Sequence, residues 1–570
     1  MRRTSTLFAS LAVVGLLAAA CGGDDDASDA PTTTAAAPIE SAAPDTTSAG
    51  GTTDTDTTVA AGDGDADDDV CTADKVGGEL TLSPRGLGTT LDPYNASIGS
   101  IQTGGEGLLL YSMLTRYDAS TGEYVPHVAK ALTPNADASE WTLELRDGVT
   151  FGNGDPLDAA ALIAHLDRHL SEESQSQAKR QVSFSIESYE QVGDMAVKFT
   201  LHEPFGKFPA LLAGTAIGMV QNARVVEEMG QEAFSQFPLG GGVGPYEIAE
   251  WAPPARVVFE AKRDWWGGPV CIETITETFI PDIRAGMEAF KLGEVDVIYL
   301  NRDPALVADA EAEFGGMLHS TMFNAAFYVH MNSGINGYDG PLTDVRVRQA
   351  VAHAIDPDVV NARAWGGSGW PGSGVVQEAS ESIDATEGPA YDPDLARQLL
   401  DEYKAETGWD GTIDAMAAAT PASNKEAAIS VKAMLDAVGF NVNLDSDLQI
   451  VDFITQVSID RSFELVASWG TIAAEAELYN GLRTFHSADP NNPSGFASEA
   501  FDAALTVLRD SQGPDQYQAA LEQLQAAVNQ DVPFAIYGAD RGTTLADESA
   551  IGGLVWHNGI DPIFETAFIR

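Results

Sequence analysis

Residues 22–69 carry 13 acidic side chains, no basic one and no aromatic, in a run made almost wholly of Gly, Ala, Thr, Ser, Pro and Asp. Such a stretch cannot bury enough apolar surface to offset its ordering entropy, and its like charges keep it extended. Whatever folds must therefore be built from about residue 71 onward. That still leaves roughly 500 residues, too many for one hydrophobic core, so the sequence predicts two or more domains.

What precedes the run reads as an address. Arg2 and Arg3 are followed by Leu7 to Ala20, an apolar segment of 14 residues, and then Cys21. At 1.5 Å per helical residue this falls short of a bilayer, so residues 1–20 are expected to be a signal peptide. The AAAC sequence resembles a bacterial lipobox, which implies that Cys21 is diacylated and becomes the mature N-terminus. Ordinary signal cleavage leaving a free cysteine is the alternative. With an anchor at Cys21, the acidic run (21–70) becomes a disordered tether holding the folded part off a membrane.

The chain has 85 acidic against 31 basic side chains, a net charge of −54, and its last lysine is Lys432. This surface would repel a phosphate backbone and an anionic membrane face, so neither nucleic acid nor direct membrane docking is expected. Scarce bases keep a protein soluble in concentrated electrolyte, and the charge is read that way rather than as a ligand signal. Beyond Cys21 there are only Cys71 and Cys271. Two cysteines in an exported domain suggest one disulfide; two separate buried thiols are the alternative.

The folded region mixes strand and helix signals. GGELTLSP (77–84) reads as a first strand, and residues 106–117 have helical spacing. WTLELRDGVTF (141–151) alternates, with Trp141, Leu143 and Leu145 on one side, and turns at Asp147-Gly148. A helix should follow with Asp155 as cap and Pro156 at its first position. Further helices are expected after Asp344, from Asp392-Pro393 to Gly408, and up to Gly439. With no strict βαβ repeat, the fold class is mixed α/β.

Seven stretches in order carry a family resemblance: TLDPYN; LYSMLTRYDASTGEYVPHVAKAL; WTLELRDGVTFGNGDPLDAAAL; GGVGPYEIAEW with RDWWGG; YVHMNSGINGYDGPLTDVRVRQAVAHAID; SWG at 468–470; and NPSGFASEAFDAAL. Together they resemble the extracytoplasmic solute-binding proteins of peptide/nickel-type ABC transporters, solute-binding protein family 5, over most of residues 77–570. The resemblance implies a two-lobed periplasmic-binding-protein-like fold of type II, of the large peptide-binding class. The first lobe would comprise 71–108, 240–327 and 540–570, with 109–239 an added subdomain, and the second lobe 328–539. Two crossovers would serve as the hinge, and a Cys71–Cys271 bridge would lie within one lobe. The implied function is capture of a peptide-like or other small solute and its delivery to ABC permease subunits, by a monomer anchored to the outer face of the cell membrane. A sensor or interaction lipoprotein of the same fold, without transport, is the alternative.

By position, the resemblance places Tyr94, Gln102, Tyr111, Trp469, Gly470 and Thr471 at the ligand, with Arg483 and His486 further off. Trp469 could stack on a solute or pack in a core, and Tyr111 sits in an apolar helical run. Peptide-binding relatives often carry an aspartate three places after this tryptophan, for the peptide's ammonium; here that place is Ile472. Glu475 or Glu477 would substitute only with a shifted loop. A plain α-amino oligopeptide is therefore the less expected solute. His165 and His169, four apart on one helix, have metal-ligand spacing but form an incomplete set, alternatively a solvated helix face. No metal or other cofactor is expected. Ser368 has Trp370 where a nucleophile elbow needs glycine, and neither H-E-x-x-H nor a phosphate-binding G-x-x-x-x-G-K-[ST] occurs, so the chain is not expected to be an enzyme.

Overall fold

The computed structural model describes residues 70–84, 90–95, 105–118, 123–253, 255–300, 304–322, 326–377, 384–472, 478–489, 492–511, 513–557 and 561–570. The expected signal peptide, Cys21, the tether up to residue 69, Gln102, Glu475 and Glu477 lie outside them.

The first lobe is a seven-stranded sheet in the order Leu318–Met322, Arg541–Ala546, Val297–Tyr299, Glu79–Ser83, Thr274–Glu277, Arg256–Ala261, Tyr246–Ala252. Glu79–Ser83 is central and parallel to both neighbours. Its Leu80 and Leu82 are buried, the period-2 pattern of GGELTLSP. A disulfide joins Cys71 and Cys271, whose Cα atoms are 5.8 Å apart. It ties the chain just before the central strand to the chain just before that strand's neighbour, inside one lobe.

The inserted part has its own antiparallel sheet, Ala129–Pro134, Glu140–Leu145, Ala196–Leu201, Ile186–Gly193 in spatial order. Trp141, Leu143 and Leu145 are buried with Val197 and Phe199 beneath helix Ala159–Leu170. Two local expectations differ from what is found. The stretch 106–117 is not one helix: Glu106–Tyr111 is helical, Ser112 takes φ 52°, and Thr115–Asp118 pairs with Glu123–Pro126. Hairpin pairing outweighs the helical spacing here. The cap of the next helix is Asp158, which accepts from Ala161 N, and not Asp155. Pro156 instead bridges to Thr150 across the turn 151–155, where Gly154 takes φ 86°, so Asp147-Gly148 opens a short loop and not a return strand. The subdomain core gathers from Leu114 to Val220 with Val243, whereas Glu106–Tyr111, Ala223–Met229 and Gln231–Gln236 pack into the first-lobe core.

The second lobe is a five-stranded sheet, Asn441–Leu448, Thr412–Ala418, Leu465–Ile472, Ala326–Met331, Phe534–Gly538. Helices cover both faces, Val345–Ala354 to Ala422–Val438 on one and Glu499–Asp510 with Gly513–Asp531 on the other. Asp344 and Asp392 cap their helices, and Gly408 and Gly439 end theirs at φ 74° and 109°. The chain crosses from the first sheet to the second between Met322 and Ala326 and returns over Ala539 and Asp540. Among the described residues no helix is long and apolar enough to cross a membrane.

Candidate ligand-binding site

In open α/β sheets, ligands sit outside the carboxyl ends of the strands. In the first lobe this edge is formed by Ser83, Glu277 and Tyr299, the last residues of three mutually parallel strands. In the second it is formed by Ala418, Leu448 and Ile472. Trp469, Gly470 and Thr471 lie in the last turn of strand Leu465–Ile472, which places their backbone at that edge. Thr471 is exposed opposite Phe327. Gly470 pairs with Tyr328, and a Cβ there would lie 2.2 Å from the Tyr328 ring, so packing alone demands glycine. Ile472 points into the second-lobe core beside Ala326 and Leu478. A carboxylate in this register would be buried away from a ligand ammonium.

Tyr94 and Tyr111 are drawn into the lobe's own structure. Tyr111 is fully buried and its hydroxyl donates to the Leu91 carbonyl (2.8 Å). Burial first, then the Asp92 charge, pushes its hydroxyl pKa well up. Tyr94 is half-buried, with Arg168 4.6 Å above its ring and its hydroxyl accepting from Gln175 N (2.8 Å). The organiser of this loop is Asp92, wholly buried, which accepts two hydrogen bonds from Arg168 (3.1 and 2.6 Å) and one from Tyr94 N (3.0 Å). Gln221 and Gln231 complete the cage around Arg168. Sequence reasoning missed Arg168; its signal was an arginine on the helical face shared with two buried histidines.

Those histidines are not on a solvated face. His165 contacts the Ile217 carbonyl (2.9 Å) and accepts from Gln221 N (3.2 Å); His169 pairs with Ser176 (2.7 Å) and Gln221 (3.1 Å). Burial is the main cause of their lowered pKa values, and His169 falls to about 3, so both are neutral and fully engaged. Asp167 on the next face accepts from Tyr189. Among the described residues no group of three His, Cys, Asp or Glu side chains is placed to hold a metal. A groove of about 780 Å³ on the second lobe, lined by Asp414, Met416, Phe463 and Glu464 among others, lies by the amino end of Leu465–Ile472 and reaches Leu448 at the carboxyl edge.

Two buried carboxylates flank the first-lobe edge. Glu565 accepts from Ser112 and is paired with His127 (both 3.0 Å) and Arg116 (3.7 Å). Burial opposes its ionisation, but His127 and Arg116 outweigh it and hold its pKa below the usual range. Glu277 has the opposite environment. It is completely buried, it faces Glu106, and burial followed by that second carboxylate pushes its pKa well up. At the return crossover, Trp370 exchanges both main-chain hydrogen bonds with Ala539 (2.9 and 2.8 Å), lacing segment 365–371 to that crossover. Gly538 has φ 133°, and a Cβ there would meet the Trp370 carbonyl at 2.6 Å.

The profile of the bacterial extracellular solute-binding proteins, family 5, matches residues 123–492. The chain belongs to that family. The glutathione-binding protein GsiB of Escherichia coli K12 is 27% identical to this solute-binding protein over 327 residues, 57% of the chain. The stretch covers 61% of GsiB, less than two thirds of that relative. Among solved structures, the oligopeptide-binding protein AppA of Bacillus subtilis, in complex with a nonapeptide, superimposes with a TM-score of 0.68 at 19% identity, covering 87% of this chain and 99% of AppA. DppA of Helicobacter pylori, in complex with the peptide STSA, gives 0.68 at 18% identity over 87% and 98%. NikZ of Campylobacter jejuni, in complex with Ni(L-His), gives 0.66 at 17% over 86% and 99%. These neighbours share the two-lobed α/β fold.

Proposed function

We propose that this solute-binding protein is the substrate-capturing component of an ABC importer, lipid-anchored through Cys21 and held off the membrane by the acidic tether. It takes a peptide-like or other small solute between its lobes and delivers it to a membrane permease. The observation that carries this reading is the pair of α/β sheets joined by two short crossovers, in a chain of the family 5 solute-binding proteins. A solute that binds the closed form better than the open one draws the lobes together. Trp469, Thr471 and Gln102 are the residues we assign to the solute. Tyr94, Tyr111 and Gly470 act by shaping the walls, because their side chains or their missing one are used in packing. With Ile472 turned into the core, the solute's positive end, where it has one, is met elsewhere or absent.

The test is native mass spectrometry of the protein purified without denaturation from the organism that makes it, with identification of the molecule released. A stoichiometric small solute supports the proposal and names its class. An empty protein whose melting temperature also ignores reduced glutathione, di- and tetrapeptides, sugars and nickel–histidine would overturn it.

A further inference from the structure

The inserted subdomain touches the second lobe directly, across residues separated by about 300 positions in sequence. The Arg483 guanidinium lies 3.2 Å from the centre of the Phe184 ring, with only 14% of its side chain exposed. Arg483 follows, within one short helical segment, the strand that carries Trp469 to Thr471. On its own lobe it has a 2.7 Å ion pair with Asp489, itself 8% exposed, while among the described residues its Nε has no hydrogen-bond partner. Beside it, Tyr479 packs its ring 5.2 Å from Phe205 and 6.5 Å from Phe184, and so belongs to the apolar surroundings of both bodies. A second point of attachment lies one helix further on. Arg509 forms an ion pair with Glu203, and its carbonyl accepts from Gly206 N (3.2 Å).

A guanidinium that is largely desolvated and held by a carboxylate and a ring becomes costly when either is taken away. Swinging the second lobe away from the subdomain removes the ring and rehydrates the arginine. The contact therefore contributes only where the subdomain and the second lobe meet, as they do here, and a contribution confined to one arrangement shifts the population toward it. Resting on the reading that the lobes close on a solute, we propose that Arg483 is a positioning residue for closure. Through Phe184 it lets the inserted subdomain grip the second lobe at the helical segment 478–485. This gives the subdomain a role: it is the jaw that meets the second lobe at the rim, with Glu203 and Arg509 as the outer contact.

The test uses the detergent-solubilised full-length protein, with dyes attached through bio-orthogonal amino acids at Glu187 and Val507, both exposed and one on each jaw. Single-molecule energy transfer then reports open and closed populations without any added solute. Phe184→Leu keeps apolar volume but removes the π face, and is expected to raise the open-to-closed ratio by about 5- to 30-fold. Phe184→Tyr should restore the wild-type ratio, a rescue that a purely space-filling role would not distinguish from leucine. Circular dichroism of each variant verifies that the fold is retained. If wild type shows two populations and Phe184→Leu, Arg483→Ala and Arg509→Gln all leave their ratio unchanged, the grip is refuted while lobe closure stands. If no variant and no solute ever yields a second distance, closure itself fails and the grip with it.

Discussion

Glu277 offers a measurement whose sign follows from burial alone. Its carboxyl is fully buried at the end of Thr274–Glu277, faces Glu106, and its pKa is raised well above the ordinary range. In the unfolded chain a glutamate ionises near about 4.3. Above that value the unfolded state releases a proton that the folded state keeps, so stability falls as pH rises, by about 1.4 kcal/mol per unit until the folded pKa is reached. For each pH unit over which the folded carboxyl keeps its proton, an unfolding entropy of about 2.1 cal/mol/K per residue over roughly 500 residues converts this to about 1 °C in Tm. Glu277→Gln replaces the neutral acid with a group of the same shape that does not titrate. The perturbation is read as the difference between variant and wild-type melting temperatures at several pH values, which cancels the titrating groups that do not touch Glu277 and reads the Glu277–Glu106 pair as a unit. The variant should gain on wild type as the pH rises from about 5, by about 1 °C per unit while Glu277 stays protonated. Parallel curves would show that Glu277 is ionised in the folded protein, and the reasoning from burial would be wrong.

Three further outcomes can be checked by denaturation. Gly470→Ala drives a methyl into the Tyr328 ring and should cost about 1–3 kcal/mol, measured by urea titration, with no change expected at a site where the ring could simply move. Arg168→Met leaves Asp92 buried without its cation, and should cost about 3–5 kcal/mol, with loss of protection from hydrogen exchange concentrated at residues 90–95. Replacing both Cys71 and Cys271 by serine frees a separation of 200 residues and should lower stability by up to about 5 kcal/mol in calorimetry, acting on the first lobe only.

The punctuation of the second lobe was readable from local chemistry. An aspartate that accepts a main-chain N–H and a glycine that takes positive φ act over three or four residues, so Asp344, Asp392, Gly408 and Gly439 declared their helices. The alternation of Trp141, Leu143 and Leu145 similarly gave their buried face. Where two local patterns competed, spacing misled: 106–117 has the helical period, but a hairpin partner at Glu123–Pro126 claimed its second half. The site was legible only as far as order along the chain reaches. Glu565 meets His127 and Ser112 across more than 400 residues, and Asp92 meets Arg168 across 76, pairings that leave no local trace. Tyr111, placed at the ligand by the family resemblance, is buried in the packing of the apolar run in which it sits.

The order of strands in the first sheet has a consequence for how the chain is made. Arg541–Ala546 lies between Leu318–Met322 and Val297–Tyr299, so the sheet receives an interior strand from the last 30 residues. The second lobe, by contrast, draws all five of its strands from one continuous stretch, 326–538. A chain emerging from its N-terminus first can complete the second lobe while the first still has an open gap with unpaired edges on both sides. Termination before Arg541 would leave one finished lobe hung on an unfinished one. Strand Arg541–Ala546 thus acts as the keystone of the domain that was begun first.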